Sequence, residues 1–339
     1  MIAEAIAKLV DGHDLTEEEA GACMDEIMAE QATAAQFGAF VVALRLKGET
    51  VDEITGMARA MRDKALRVRV EGPLLDTCGT GGDGKATFNA STAAAFVAAG
   101  AGAKVAKHGN RAMTSACGSA DVLEAAGVNL SLDADAVAQC INAVGLGFMF
   151  APAHHSAMKH VIKARKEIGV RTVFNLLGPL TNPAAAPNQI IGVFDPDWIG
   201  ALLEVLRELG SNHVLIVSAE DGLDEISISA PTQVGELKDG EISSYSVSPA
   251  DFGISQYDDY SMLQIDSVEA SLAMLKQALS YENQAAGDIV ALNAGAAIYA
   301  ANLCDDLVAG VERAKAVLHT ADAVDKLEQL VQFTQSVGA

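Results

Sequence analysis

From Pro73 onward, short apolar runs alternate with stretches of helical period, and this alternation limits the fold most. The runs Pro73–Thr77, Ala103–Ala106, Gly147–Ala151, Gln189–Phe194 and Val214–Ser218 read as strands. Between them, 91–99, 120–126, 134–144, 155–168 and 198–209 read as helices. Strands separated by helices pair in parallel and are covered by those helices. Residues 226–250 read as short strands or hairpins with a polar turn at Lys238-Asp239-Gly240, and the last 70 residues return to helix over 268–279, 289–302, 307–318 and 321–333.

The first 65 residues are helical throughout. Three capping boxes recur there: Thr16 with Glu19, Thr33 with Gln36, and Thr50 with Glu53. Phe37, Phe40, Val41 and Leu44 share one helix face, which suits either a core or a subunit interface. The expected fold class is α/β: a small N-terminal helical domain over 1–69, then a large α/β domain over 70–339 with a central, mostly parallel sheet.

Composition removes several function classes. The formal net charge of −22 argues against a general nucleic-acid binder and against docking on an anionic membrane. No apolar run reaches the length of a membrane span, and the N-terminal residues lack the pattern of a secretion signal. The five cysteines are widely spaced, which fits a reducing cytoplasm.

The segment Asp76-Thr77-Cys78-Gly79-Thr80-Gly81-Gly82-Asp83-Gly84 follows the first strand. Gly79, Gly81 and Gly84 satisfy G-x-G-x-x-G, but the next helix starts several residues late and the next strand ends without an acid for a ribose. No Gly-Lys-Ser/Thr closes the loop, which excludes a Walker A motif. What remains is a nest of backbone amides suited to an anion, with Ser91 and Thr92 expected to cap the next helix. From Gly84 to Ala120 there is no Asp or Glu, where an even spread would place about five. The same window holds Lys85, Lys104, Lys107, His108 and Arg111, as a polyanion pocket would, although a buried Ala-rich helix also excludes charge. His154, His155 and His160 do not have the spacing of a zinc motif.

Three stretches, DTCGTGGDGKATFNAST (76–92), KHGNRAMTSACGSADVLEAAG (107–127) and FAPAHHSAMKHVIKARKEIGVRTVFNLLGPLTNP (150–183), together resemble the anthranilate phosphoribosyltransferases. The resemblance runs across essentially the whole chain and implies a nucleoside phosphorylase/phosphoribosyltransferase fold. It implies transfer of the phosphoribosyl group of phosphoribosyl diphosphate (5-phospho-α-D-ribose 1-diphosphate) to the amine of anthranilate, releasing pyrophosphate, in tryptophan biosynthesis. Carried over residue by residue, Gly79, Gly82, Asp83, Thr87, Asn89, Ala90, Ser91 and Thr92 would meet phosphoribosyl diphosphate. Lys107, His108, Gly109, Asn110, Arg111, Ala112, Met113, Thr114, Ser115 and Ser119 would line the same ligand. Gly79, Asn110 and Arg165 would meet anthranilate, with His108, Pro152, His155 and Met158 along its entry path.

A planar guanidinium at Arg165 matches a carboxylate bidentately. Ser91, Asp224 and Glu225 would hold Mg²⁺, two ions per subunit, and no protein nucleophile is expected. The implied assembly is a cytoplasmic homodimer joined through the N-terminal helices, with part of 165–185 joining that unit. Ala116 and Cys117 depart from the commoner family pattern, as does Cys78. Two alternatives stand beside this reading: a pyrimidine nucleoside phosphorylase, which shares the fold, and a non-catalytic nucleic-acid-binding relative. The net charge and the Asp224-Glu225 pair count against the second.

Overall fold

The structure, a computed structural model, describes residues 1–81, 84–112, 116–159 and 161–337. Four helices open the chain: α1 (Ile2–Val10), α2 (Glu17–Met28), α3 (Ala34–Lys47) and α4 (Val51–Lys64). All three capping boxes form, with the Thr hydroxyl accepting from the N3 amide and the N3 side chain accepting from the Thr amide. Phe37, Phe40, Val41 and Leu44 are buried within the chain, so the face they share is core and offers nothing to a second subunit. Phe37 packs on Phe174, with ring centroids 5.3 Å apart.

The α/β part comprises β1 (Leu75–Gly79), α5 (Ala90–Gly100), β2 (Val105–Gly109), α6 (Ser119–Ala125), α7 (Ala134–Val144) and β3 (Leu146–Phe150). The short α8 (Ala151–His154), a 3₁₀ turn at Ser156–Met158, α9 (Val161–Ile168) and α10 (Phe174–Leu180) follow. Then come β4 (Asn188–Gly192), α11 (Trp198–Glu208), β5 (His213–Ala219), β6 (Thr232–Lys238) and β7 (Glu241–Val247). The chain ends in α12 (Val268–Leu279), α13 (Gln284–Ala300), α14 (Leu307–Leu318) and α15 (Asp322–Val337).

The seven strands lie in the order β3-β2-β1-β4-β5-β6-β7. Strands β1 to β5 are mutually parallel, and β6 and β7 extend the sheet antiparallel. The β6–β7 hairpin turns at Asp239 and Gly240, both at positive φ, as a tight two-residue hairpin requires. One sheet face packs on α5 and the C-terminal helices, where all of α13 after Gln284 is buried. The other face shares a hydrophobic cluster with the N-terminal bundle, α9, α10 and α11.

Two helices differ from the sequence reading of the fold. Residues 155–168 do not form one helix. The backbone breaks at His155 (φ −119°, ψ 53°), because His154 and His155 bond to Leu66 and Thr181 on other segments. The second change is α10, a helix that the sequence hides behind Gly178 and Pro179 near its C-terminal end.

Candidate active site

Strand order reverses at β1: the chain proceeds from β1 to β2 on one side and later adds β4 on the other. In open parallel sheets, ligands bind beyond the strand C-termini at such a switch point. The sequence motifs converge there. The glycine loop leaves β1, Lys107 to Asn110 end β2, Pro152 follows β3, and the Asp224-Glu225 loop follows β5. A small cavity at this point is lined by Thr77, Cys78, Ser91, Gly192, Asp224 and Glu225.

The acidic loop sits directly on the strand ends. A Cβ at Gly192 would lie 1.5 Å from the Asp224 carbonyl oxygen, and one at Gly79 would lie 2.7 Å from Asp224 Oδ2. At Gly192, where the clash would be with backbone, only glycine lets the loop approach so closely, whereas at Gly79 the Asp224 carboxylate would have to swing aside. Gly81 N donates to Asp224 Oδ2 (3.2 Å), and Ser91 N, in the first turn of α5, donates to Glu225 Oε1 (3.2 Å). A carboxylate at a helix N-terminus is favoured by the helix dipole. The loop is held from behind. Asp221 Oδ2 accepts from Ser227 Oγ (2.5 Å) and Ser229 Oγ (2.6 Å), and Asn293 on α13 bonds both the amide and the carbonyl of Ile226.

Ser91 and Thr92 do not cap α5. The N-cap is Asn89, whose side chain makes no capping bond because it reaches other partners. Thr92 is buried, and its hydroxyl has no partner among the described residues. Thr87 bridges to Gln264, and Ala90 is fully buried.

Beneath the loop lies a polar layer that joins Lys107 and His108, both expected at the site, to Asp76 and Asn182, which the sequence did not single out. Asp76 is fully buried and accepts from Asn182 Nδ2 (2.7 Å) and His108 N (3.2 Å). Lys107 is buried too, its Nζ donating to the carbonyl and hydroxyl of Thr77. Burial raises the Asp76 pKa against the opposing pull of Lys107, Asn182 and His108, and burial likewise lowers that of Lys107. The clue available in the sequence was an Asp inside an apolar strand, since a buried carboxylate needs partners.

On the bundle side, His108 and His155 face each other with ring centroids 5.4 Å apart. Both are buried, and His108 Nε2 and His155 Nδ1 have no hydrogen-bond partner among the described residues. Burial, with His155 and His154 nearby, pushes His108 down to about 3, and burial lowers His155 as well. Arg165 is half-buried, with its guanidinium 5.2 Å from the Phe174 ring centroid and no ion pair or hydrogen bond among the described residues. Pro152 and Met158 are half-buried, and Met158 packs against the bundle core.

Not every cation of the acid-free window converges here. Lys104 lies at the opposite end of β2 and bonds Glu71 and Asn142. The Arg111 side chain is turned to Asp121 (3.1 Å) and Glu124 (2.7 Å), the first acids after the window, and lies over Phe150. Much of the window is buried α5, which excludes charge without any ligand. Gly109 ends β2, and exposed Asn110 accepts at its carbonyl from Ala120 N and Ser119 Oγ. Ala112 N donates to Asp121. Gly82, Asp83, Met113, Thr114, Ser115 and His160 lie outside the described residues. Among the described residues, no group of three or more His, Cys, Asp or Glu side chains could hold a metal ion.

Residues 3–65 match the glycosyl transferase family helical bundle domain, and residues 71–324 match the glycosyl transferase family a/b domain. The chain is 54% identical over 334 residues to the anthranilate phosphoribosyltransferase of Thioalkalivibrio sulfidiphilus, covering 98% of each chain. It is 54% identical over 339 residues to that of Methylococcus capsulatus, covering 100% of this chain and 99% of the relative. Among solved structures, anthranilate phosphoribosyltransferase from Thermus thermophilus superposes with a TM-score of 0.92 at 43% identity, covering 98% of this chain and 99% of that one. The Saccharomyces cerevisiae enzyme in complex with PRPP and Mg gives a TM-score of 0.90 at 26% identity, covering 99% of this chain and 98% of that one. Full-length identity of this order does not favour the nucleoside phosphorylase or the nucleic-acid-binding alternative. The chain belongs to the anthranilate phosphoribosyltransferases, a family of the glycosyl transferase fold.

Proposed function

We propose that the chain transfers the phosphoribosyl group of phosphoribosyl diphosphate to the amine of anthranilate, releasing pyrophosphate, and that the residues gathered at the β1/β4 switch point carry the reaction. The observation that supports the anthranilate side is Arg165, a half-buried guanidinium with no acidic partner among the described residues. A planar cation so placed suits a carboxylate, which it would hold in a fixed orientation. His108 and His155, neutral because they are buried, would shape the aromatic pocket without competing for that carboxylate.

The aryl amine is neutral at neutral pH, so no base is required to unmask it before attack. Lys107 and the amides of the glycine loop would stabilise charge growing on the leaving diphosphate as C1 becomes oxocarbenium-like. Asp224, Glu225 and the Ser91 hydroxyl offer only oxygen donors, and too few to enclose a cation. That set suits Mg²⁺, which is held by one or two carboxylates together with phosphate oxygens and water, two ions in each subunit. When bound, Mg²⁺ would neutralise diphosphate charge. Closure between the bundle over 1–69 and the α/β unit over 70–339 would exclude water from C1.

We place the enzyme in the cytoplasm; among the described residues no helix is long and apolar enough to cross a membrane, and all five cysteines are free. A homodimer would use the outer surface of the bundle, where Val10 and Leu46 are exposed. Light scattering should then give twice the chain mass, and the chain mass alone at micromolar concentration would exclude the dimer.

The deciding assay follows the loss of anthranilate fluorescence with phosphoribosyl diphosphate and Mg²⁺. Arg165→Ala should lose about 1.5–3 kcal/mol of anthranilate affinity, roughly a 10- to 100-fold rise in its KM, with the KM for phosphoribosyl diphosphate little changed. Equal losses for both substrates would remove Arg165 from the anthranilate site.

A further inference from the structure

Asn89 begins α5 but does not cap it, and both ends of its carboxamide are taken up elsewhere. Nδ2 donates to the carbonyl of Cys117 at 3.2 Å, at the far end of the loop that follows β2. Oδ1 accepts from Ser271 Oγ at 2.8 Å, and Ser271 Oγ in turn accepts from Asn89 N at 3.4 Å. Ser271 lies on α12 and is fully buried. A hydroxyl donor on one side and a carbonyl acceptor on the other leave the carboxamide a single orientation. The loops after β1 and after β2 are therefore tied together through one amide, and α12 fixes how that amide points.

The neighbouring bonds act in the same sense. Phe88 N donates to the Leu263 carbonyl (3.0 Å), Ile265 N to the Ala86 carbonyl (2.8 Å), and Gln264 Nε2 to the Lys85 carbonyl (3.0 Å). The stretch 263–271 thus grips residues 85–89, directly after the glycine loop.

We propose that Ser271 is a positioning residue for phosphoribosyl diphosphate, acting through Asn89 to set the separation of the two loops that would hold that substrate. This rests on the functional reading above. Ser271 itself touches no substrate. Without its hydroxyl, Asn89 Oδ1 loses its donor on that side, the carboxamide is free to turn, and the Cys117 tie loosens. Anthranilate, which that reading places toward Arg165, is unaffected.

The test is the full-length enzyme carrying Ser271→Ala, assayed by anthranilate fluorescence with each substrate varied in turn. The KM for phosphoribosyl diphosphate should rise about three- to tenfold, the effect of one lost hydrogen bond, with the KM for anthranilate and the melting temperature near wild type. Ser271→Thr, which keeps the hydroxyl, should restore the low KM. In an Asn89→Ala background, Ser271→Ala should add little further. Should the alanine variant not fold, the nearly isosteric Ser271→Cys, a weaker donor, carries the same expectation. A purely structural role would lower the melting temperature and leave both KM values alone, and that result overturns the proposal. So does a rise that persists undiminished without Asn89. A wild-type enzyme that turns over normally while Ser271→Ala keeps its KM refutes the positioning role alone. A wild-type chain with no turnover of this substrate pair refutes the functional reading and, with it, the proposal.

Discussion

Among the described residues, a lysine–carboxylate pair buried in the bundle and another buried beneath the site behave in opposite ways. In the bundle, Lys47 bonds Glu53 at 3.1 Å and Asp14 at 2.6 Å, and fully buried Glu53 also accepts from the amides of Leu15 and Thr50. Burial works to lower the Lys47 pKa, yet the bonds to Asp14 and Glu53 outweigh it and leave it raised. Beneath the site, Asp76 and Lys107 attract each other, but each is bonded to other groups, Asp76 to Asn182 and His108, Lys107 to Thr77. There burial wins for both, raising the acid and lowering the base. A pair that closes on itself staples α3, α4 and the loop before α2. A pair whose charges are solvated separately leaves the lysine available to a further anion.

Removing the cation from each pair should separate these two roles. Lys107→Met would strand a buried carboxylate, and breaking such a pair from one side costs about 3–5 kcal/mol. Urea unfolding should show that loss, and Asp76→Asn added to Lys107→Met should recover most of it. Turnover should stay absent in both, and recovered activity in the double variant would mean that Lys107 serves only the fold.

Lys47→Met is the smaller change, because Glu53 keeps two backbone donors and Lys47 borders solvent at Asp14. A lost hydrogen bond to a charged group is worth about 1.5–3 kcal/mol. The free energy of unfolding from urea titration should fall by that much while kcat and both KM values hold. A changed KM would show that the bundle pair reaches the site.

Acid should sharpen the contrast further. His108, His154 and His155 all have lowered pKa values, chiefly through burial, whereas the only histidine of the bundle, His13, is exposed. Below about pH 6.5 the unfolded chain binds protons that the native site refuses. Stability is therefore lost as pH falls from there toward the folded value, about 3 for His108. The slope is about 1.36 kcal/mol per pH unit for each such proton. His108→Gln should flatten it by one proton between about pH 6 and about pH 4. An unchanged slope would show that His108 is already protonated in the native state.

What could be read from the sequence follows the range of the forces involved. A capping box closes within four residues, so Thr16, Thr33 and Thr50 announced their helices in advance. Apolar runs located β1 to β5 to within two residues at most boundaries, because a strand buried on both faces has little other composition open to it. The break at His155 was illegible, since its cause is Leu66 and Thr181 in other segments. The partner of Asp76 is Asn182, and that of Asn89 is Ser271, both more than a hundred residues away, and no local pattern marks such a pairing. Motif residues such as Arg165 and Asp224 were found because the family resemblance named them. Their supports were missed because no motif includes them.

The interior position of β1, third in the strand order, also dictates an order of assembly. On one side it pairs with β2, about thirty residues later, but its other edge waits for β4, more than a hundred residues on. A nascent chain that has reached Ala186 has made the glycine loop, the Lys107 loop and Arg165, yet still carries β1 with one edge bare. The two carboxylates arrive only after β5, and the serine that orients Asn89 later still. On the ribosome, then, the anion-binding loops precede by many seconds the strand that protects them, and a bound chaperone or a slow stretch of translation before β4 would act on an open sheet.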